Sequence, residues 1–205
     1  RNSAVAEIYE PGSTFKVITV AAGLEKKAIG PNSAFYIPDQ LMRGGRVIKN
    51  SHPIWGNTRN MTVGKILEQS LNTGMVQIGD KLGKANLMQV VRALGFGRST
   101  NVGLPGEESG LVKNTRDFSE SDLPMITFGQ SISVTPLQLV KAYATLANGG
   151  IEVNPKIIKK IESPDHKFVK TFQDSGKPRQ VISEKTCQDI KKLMEGVVSN
   201  PGGSG

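Results

Sequence analysis

The sequence predicts a mixed α/β domain in which helices dominate, and three observations carry that reading. Apolar residues recur at helical spacing in several capped stretches between residues 13 and 198. Two alternating segments, Lys156 to Glu162 and Lys167 to Phe172, flank Ser163-Pro164-Asp165 and read as a hairpin. Finally, 205 residues with 37% hydrophobic content and no low-complexity bias suffice for one well-buried domain. The net charge of +8 favours an anionic neighbourhood, a membrane surface or an acidic polymer, although the lysines are interspersed with acids as on a solvated surface. Basic and aromatic residues do not interleave, so no nucleic acid partner is expected. Cys187 stands alone, as do His52 and His166, so neither an internal disulfide nor a metal or other cofactor is expected. No run of ~18 apolar residues exists and Arg1-Asn2 has no signal-peptide character; an anchor, if any, is expected outside this chain.

Taken in order, Glu10-Pro11-Gly12-Ser13-Thr14-Phe15-Lys16 opens an apolar run through Leu24, which places Ser13 in the first turn of a buried helix ending near Ala28, before Gly30-Pro31. Residues three apart share a helix face, so Lys16 can reach the Ser13 oxygen. A serine hydroxyl needs a base, and a lysine serves only if burial or a neighbouring cation lowers its pKa. The apolar flanks of Lys16 fit such burial, and free amides at a helix start suit an oxyanion beside Ser13. A Ser N-cap followed by a surface lysine is the ordinary alternative for a lone Ser-x-x-Lys.

Residues 31 to 60, rich in glycine and proline, read as a loop-rich excursion with short extended pieces such as Arg46 to Lys49. Trp55 there either anchors a loop or lines the cleft. Thr62 caps a helix carrying Val63, Ile66 and Leu67 inward. In Ser70-Leu71-Asn72, side chains two apart reach one cleft only if the helix breaks, and Thr73-Gly74 is the expected break. Helices follow through Met75 to Gly83 and Leu87 to Gly95. Residues 95 to 127 are turn-rich. Thr135, Pro136 and Gln138 form a capping-box helix start, with Leu139, Val140, Ala142, Tyr143, Leu146 and Ala147 as its apolar stripe and Asn148-Gly149-Gly150 as its end. Ser183 caps the last helix, with Ile190, Leu193, Met194, Val197 and Val198 inward; Asn200-Pro201 ends it, and Gly202 to Gly205 reads as flexible.

The Tyr9 to Lys16 segment resembles the active-site serine segment of penicillin-binding proteins, more closely the monofunctional class B transpeptidases. Ser70-x-Asn72 matches the family's second motif in order and setting. Thr127 to Gln138 resembles the stretch that follows it, with Ser131 a departure from the common Gly-Gln-Gly that casts doubt on a close backbone approach there. The resemblance implies the penicillin-binding-protein and β-lactamase-like α/β (α+β) transpeptidase fold, an antiparallel sheet flanked by helices with an all-helical subdomain, incomplete in this chain. Residues 1–205 would form part of one transpeptidase domain: 31–150 a mostly helical subdomain with loops, 151–205 a hairpin and helix, and the first and last sheet strands outside. The third motif, Lys-Thr-Gly or Lys-Ser-Gly, does not occur; Lys185-Thr186-Cys187 lacks the glycine.

The resemblance further implies a peptidoglycan D,D-transpeptidase and β-lactam target. Ser13 would attack the peptide carbonyl, Lys16 accept its proton, Ser70 relay a proton to the leaving amine and Asn72 hold the substrate amide, with Trp55 and Gln130 as further substrate-binding candidates. Stem peptides, β-lactam antibiotics and cell-wall synthesis proteins of the divisome or elongasome would be its partners, at the extracytoplasmic face of the bacterial cell membrane. A β-lactamase or carboxypeptidase of the same fold would need a carboxylate to activate water, for which Glu120 in Glu120-Ser121-Asp122-Leu123-Pro124 comes nearest. A non-catalytic sensor or scaffold is the reading from another class.

Overall fold

The computed structural model describes residues 2–56, 58–172 and 178–204. In chain order it contains α1 (Ser3–Ala6), α2 (Lys16–Glu25), β1 (Ala34–Tyr36), β2 (Gln40–Arg43), β3 (Arg46–Lys49), β4 (Asn60–Thr62), α3 (Val63–Glu68), α4 (Asn72–Leu82) and α5 (Lys84–Ala93). There follow α6 (Asp122–Ile126), α7 (Pro136–Ala147), β5 (Lys160–Glu162), β6 (Val169–Thr171) and α8 (Glu184–Ser199). Every residue of α2 from Lys16 to Leu24 is buried, as befits a helix that is apolar nearly all round. It is the central post of the core, packed against α3, α4, α5 and α8. The mixed α/β character is as the sequence predicts; the antiparallel pairing is distributed over three ladders, β1 with β4, β2 with β3 and β5 with β6. The β5–β6 hairpin is real but shorter than the alternation suggested.

Two helix ends fall earlier than expected, and for one reason. At the end of α2 the Ala28 N–H reaches back to Gly23 O (2.9 Å) and Lys27 N–H to Leu24 O (3.0 Å), with Lys27 left-handed at φ 54°. This pattern satisfies the last carbonyls and ends the helix at Glu25, before Gly30 is reached. At the end of α3 the Leu71 N–H reaches Ile66 O and the Ser70 N–H reaches Leu67 O, both 3.0 Å, with Ser70 at φ 50°. The break between Ser70 and Asn72 therefore lies at Ser70-Leu71, and Thr73 and Gly74 sit inside α4. Gly74 serves packing instead, since a Cβ there would stand 2.5 Å from Ile66 Cγ2.

The caps at Thr62, Thr135 and Ser183 form as expected, including the reciprocal Thr135–Gln138 box. The stripe on α7 differs. Val140 is 62% exposed and Ala147 is exposed, whereas Gln138, Lys141 and Thr145 are buried alongside Ala142 and Leu146. Gln138 donates to Arg98 O and Ser109 O, and Lys141 pairs with Glu152, so the inward face of α7 is partly polar. Val198 of α8 also points outward. The stretch 95–127 contains α6, and Gly202 to Ser204 folds back, with Ser204 N–H on Glu68 O at 2.9 Å; Gly205 lies outside the described residues.

Candidate active site

The Ser13 turn is fixed from a distant part of the chain. Gly12 donates its N–H to Gly129 O (3.0 Å), and Gly129, at φ 80°, comes so close that a Cβ there would stand 2.1 Å from Gly12 O. Tyr9 and Val134 exchange main-chain hydrogen bonds at 3.0 and 2.9 Å, and the Glu10 carboxylate accepts the Ser131 N–H at 2.8 Å. The close approach expected of this stretch thus belongs to Gly129. Ser131 adopts a left-handed φ of 57° and gives its N–H to Glu10. Ser13 itself lies in a 3₁₀ turn, Gly12–Phe15, that leads into α2; it is exposed, and its hydroxyl makes no hydrogen bond among the described residues.

Lys16, one turn on, is 1% exposed. Burial takes the charge out of water and lowers its ammonium pKa from 10.5 to about 8, and among the described residues no carboxylate pairs with it. Its Nζ donates to Ser70 Oγ (2.9 Å) and Ser70 O (2.5 Å) rather than to Ser13. The left-handed backbone of Ser70 presents both oxygens on the same side, so the turn that ends α3 also builds the lysine's partner. Ser13, Lys16 and Ser70 line one cavity of about 250 Å³ with Val17, Leu67, Tyr143 and Met194.

Asn72 begins α4 immediately after the turn and donates Nδ2 to Lys49 O at 2.9 Å. That bond fixes the amide's orientation and leaves Oδ1 free to accept a donor. Asn72 lines a second depression, about 420 Å³, with Gln130, Phe128, Met125 and the strand Arg46 to Lys49. The four motif residues are therefore brought together around one turn, and Gln130 joins Asn72 on its far side. Trp55 is not brought there. It lines neither cavity; its ring stacks on His52 (centroids 4.9 Å apart) and its main chain pairs with the Gln69 side chain, N–H to Oε1 at 3.0 Å and O from Nε2 at 3.1 Å. It is a loop anchor beside Ser70.

Sequence reasoning assigned Tyr143 to a core stripe. Its hydroxyl donates to Thr14 O at 2.7 Å and its ring lines the Ser13 cavity. Burial pushes this phenol up to about 12, so it remains a donor at neutral pH. The available signal was the polar tip of a tyrosine in an apolar stripe, which always needs a partner. Glu120, the candidate water-activating carboxylate, lies instead at the β2–β3 turn, where a Cβ on Gly44 would stand 2.5 Å from the Glu120 carbonyl. It lines neither cavity.

A buried lysine hydrogen-bonded to one serine, with a second serine lining the same cavity and an asparagine one step beyond, is the arrangement that serine acyl transfer calls for. The family model for the penicillin binding protein transpeptidase domain matches residues 1–205, and the chain belongs to that family. It is 34% identical over 202 residues to stage V sporulation protein D of Bacillus subtilis, covering 97% of this chain and 31% of that protein. It is 32% identical to penicillin-binding protein PbpB of Mycolicibacterium smegmatis, covering 96% of this chain and 30% of that protein. Peptidoglycan D,D-transpeptidase FtsI of Escherichia coli is 30% identical, with 100% of this chain and 32% of that protein covered. The chain thus spans about a third of the length of the curated relatives it matches. Among solved structures, penicillin binding protein 3 of Mycobacterium tuberculosis in complex with aztreonam superposes with a TM-score of 0.87 at 29% identity, over 98% of this chain and 44% of that one.

Proposed function

We propose that the protein carrying this chain is a serine D,D-transpeptidase that cross-links peptidoglycan stem peptides. The observation that carries this reading is Lys16: buried, without a carboxylate partner among the described residues, and hydrogen-bonded to Ser70 in the cavity that Ser13 lines. With a pKa near 8, about a tenth of Lys16 is a neutral amine at pH 7, enough to act as a base. Ser13 Oγ attacks the peptide carbonyl as Lys16 Nζ takes its proton. A proton then passes through Ser70 Oγ to the departing amine, leaving an ester on Ser13. A second strand's amine attacks that ester, gives its proton back along the same path, and restores the serine. Asn72 Oδ1 accepts an amide N–H of the substrate, and Gln130 supplies a further polar contact in the adjoining depression.

A carboxylate near the ester is the feature that would favour hydrolysis, since it can activate water. The residues described around the Ser13 cavity include none, which favours transfer to an amine over a β-lactamase or carboxypeptidase. β-Lactams would acylate Ser13 as substrate mimics, and a relative crystallised with aztreonam and with ampicillin supports that expectation. The reading places the reaction at the extracytoplasmic face of the bacterial cell membrane, with divisome or elongasome proteins as partners; among the described residues no helix is long and apolar enough to cross a membrane. The test is a labelled β-lactam. The intact protein should gain one covalent label mapped to Ser13, and Ser13→Ala should lose it while melting as the parent does; label retained on another residue of the alanine variant would overturn the assignment.

A further inference from the structure

Helix α4, which begins with Asn72, has no cap of its own. Its N-cap residue is Leu71, whose side chain cannot accept a hydrogen bond. The acceptor comes instead from residues 23 positions earlier. Asn50 Oδ1 takes the Thr73 N–H at 3.1 Å and lies 3.2 Å from Thr73 Oγ1, which also donates to Pro38 O at 2.9 Å. The preceding residue, Lys49, gives its carbonyl to Asn72 Nδ2 at 2.9 Å. Two consecutive residues leaving β3 therefore hold two consecutive residues entering α4, and the same pair fixes both the helix start and the orientation of the Asn72 amide.

We propose that Asn50 is a positioning residue of the acylation site, which aims Asn72 Oδ1 at the substrate by capping α4 across the fold. The proposal rests on the reading of Asn72 as the residue that holds the substrate amide. Asn50 never touches substrate. If the cap is lost, Thr73 N–H is unpaired at a partly buried helix start, and the first turn of α4 shifts to find water; displacements of about 1 Å at a positioned group cost on the order of 10²-fold in rate. The chemistry asked of Asn50 is acceptance alone. Its Oδ1 meets a donor, whereas its Nδ2 is buried without a partner among the described residues. A carboxylate in its place keeps the acceptor and sets a negative charge against the positive end of an 11-residue helix, while exchanging the unpaired Nδ2 for an unpaired oxygen.

That asymmetry supplies the test, made in the protein that carries this chain with a labelled β-lactam. Acylation is followed over a range of drug concentrations, so that non-covalent binding and the chemical step are resolved, and sites are counted by end-point labelling. Asn50→Asp should acylate within about threefold of the parent. Asn50→Leu, with the same branching but no acceptor, should lose about ten- to a hundredfold, with most of the loss in the binding step where Asn72 acts. A leucine variant that folds and acylates within threefold of the parent overturns the proposal, as does an aspartate variant crippled in rate. Should the leucine variant fail to fold, Asn50→Ala, which also lacks the acceptor, is read in its place by the same threefold criterion. A parent that takes no label on Ser13 would sink the transpeptidase reading; a labelled parent with both variants at parental rate would sink only the role of Asn50.

Discussion

Two lysines sit inside apolar helical runs of this chain, and they are used in opposite ways. Lys16 of α2 is 1% exposed and Lys141 of α7 is 7% exposed, so burial does not distinguish them. Their company does. Lys141 faces the Glu152 carboxylate at 3.1 Å, and Glu152 also holds Arg98 at 3.2 Å and Arg179 at 2.6 Å. Burial alone would raise the Glu152 carboxyl, but hydrogen bonds from Arg179 and Lys141, with their charges, outweigh it and leave the group below its usual range. Lys141 is thus a neutralised member of an ionic cluster that ties α7 to the segment that follows it. Among the described residues Lys16 donates only to hydroxyl and carbonyl oxygens, which accept its hydrogen bonds without balancing its charge. A buried cation with no counter-charge is poised to give up its proton, and a buried cation with one is locked in place.

The largest expected effect breaks this comparison if it fails. Lys16→Met, which keeps an unbranched apolar stem, should lower β-lactam acylation by about 10³-fold or more, within or beyond the usual range for a general base, while leaving the melting temperature unchanged or raised. Lys141→Met should do the reverse: acylation of the folded protein within about twofold of the parent, and a stability loss of about 1–3 kcal/mol from the charge-assisted bond to Glu152. Kinetics and thermal melts on the two variants side by side read both outcomes. Equal loss of acylation in both would mean that position in the fold, and not the missing counter-charge, selects the base.

This contrast also shows what could be read from the residues. The caps at Thr62, Thr135 and Ser183, the burial of α2 and the grouping of Ser13, Lys16, Ser70 and Asn72 were legible, because each rests on local chemistry or on a spaced motif. Lys141 was hidden, since its partner Glu152 lies beyond the end of α7 and nothing local marks the pair. The break at Ser70 was placed too late because left-handed helix ends are usually sought at glycine, and here serine adopts φ 50°. The Gly12–Gly129 contact and the Asn50 cap join segments far apart in sequence, so spacing could not reveal them. Trp55 was a composition cue, and the fold spends it on a loop.

A pH profile sharpens the comparison next. With Lys16 titrating near 8, acylation should rise with pH as the amine becomes neutral, by about thirtyfold between pH 6.5 and 9.5, with a midpoint near 8. Stability follows the same group. Its folded pKa lies below the 10.5 of an exposed lysine, so the unfolded chain binds the extra proton between pH 8 and 10.5, and the Lys16 contribution to stability rises across that window by about 3 kcal/mol. Below pH 8 the cost of a charged buried amine is fully present. A flat acylation profile between pH 6.5 and 9.5 would remove Lys16 as base.

The smallest effect concerns the partner of Lys16, as Glu152 is the partner of Lys141. Ser70 contributes two things: a hydroxyl to Lys16 Nζ and a left-handed backbone that ends α3. Replacing it by alanine or by glycine removes the hydroxyl equally, so both variants should lose acylation by a similar factor. The backbone tells them apart. A Cβ in the left-handed region costs roughly 1–2 kcal/mol that glycine does not incur, partly offset by the greater freedom of glycine in the unfolded chain. Ser70→Gly should therefore be more stable than Ser70→Ala by about 1 kcal/mol, measured by denaturant unfolding, while labelling no faster. That result would assign to Ser70 a strain retained for its hydroxyl alone. If the alanine variant is as stable as the glycine variant, the left-handed serine carries no strain, and the turn owes its shape to the hydrogen bonds of Ser70 and Leu71 back into α3.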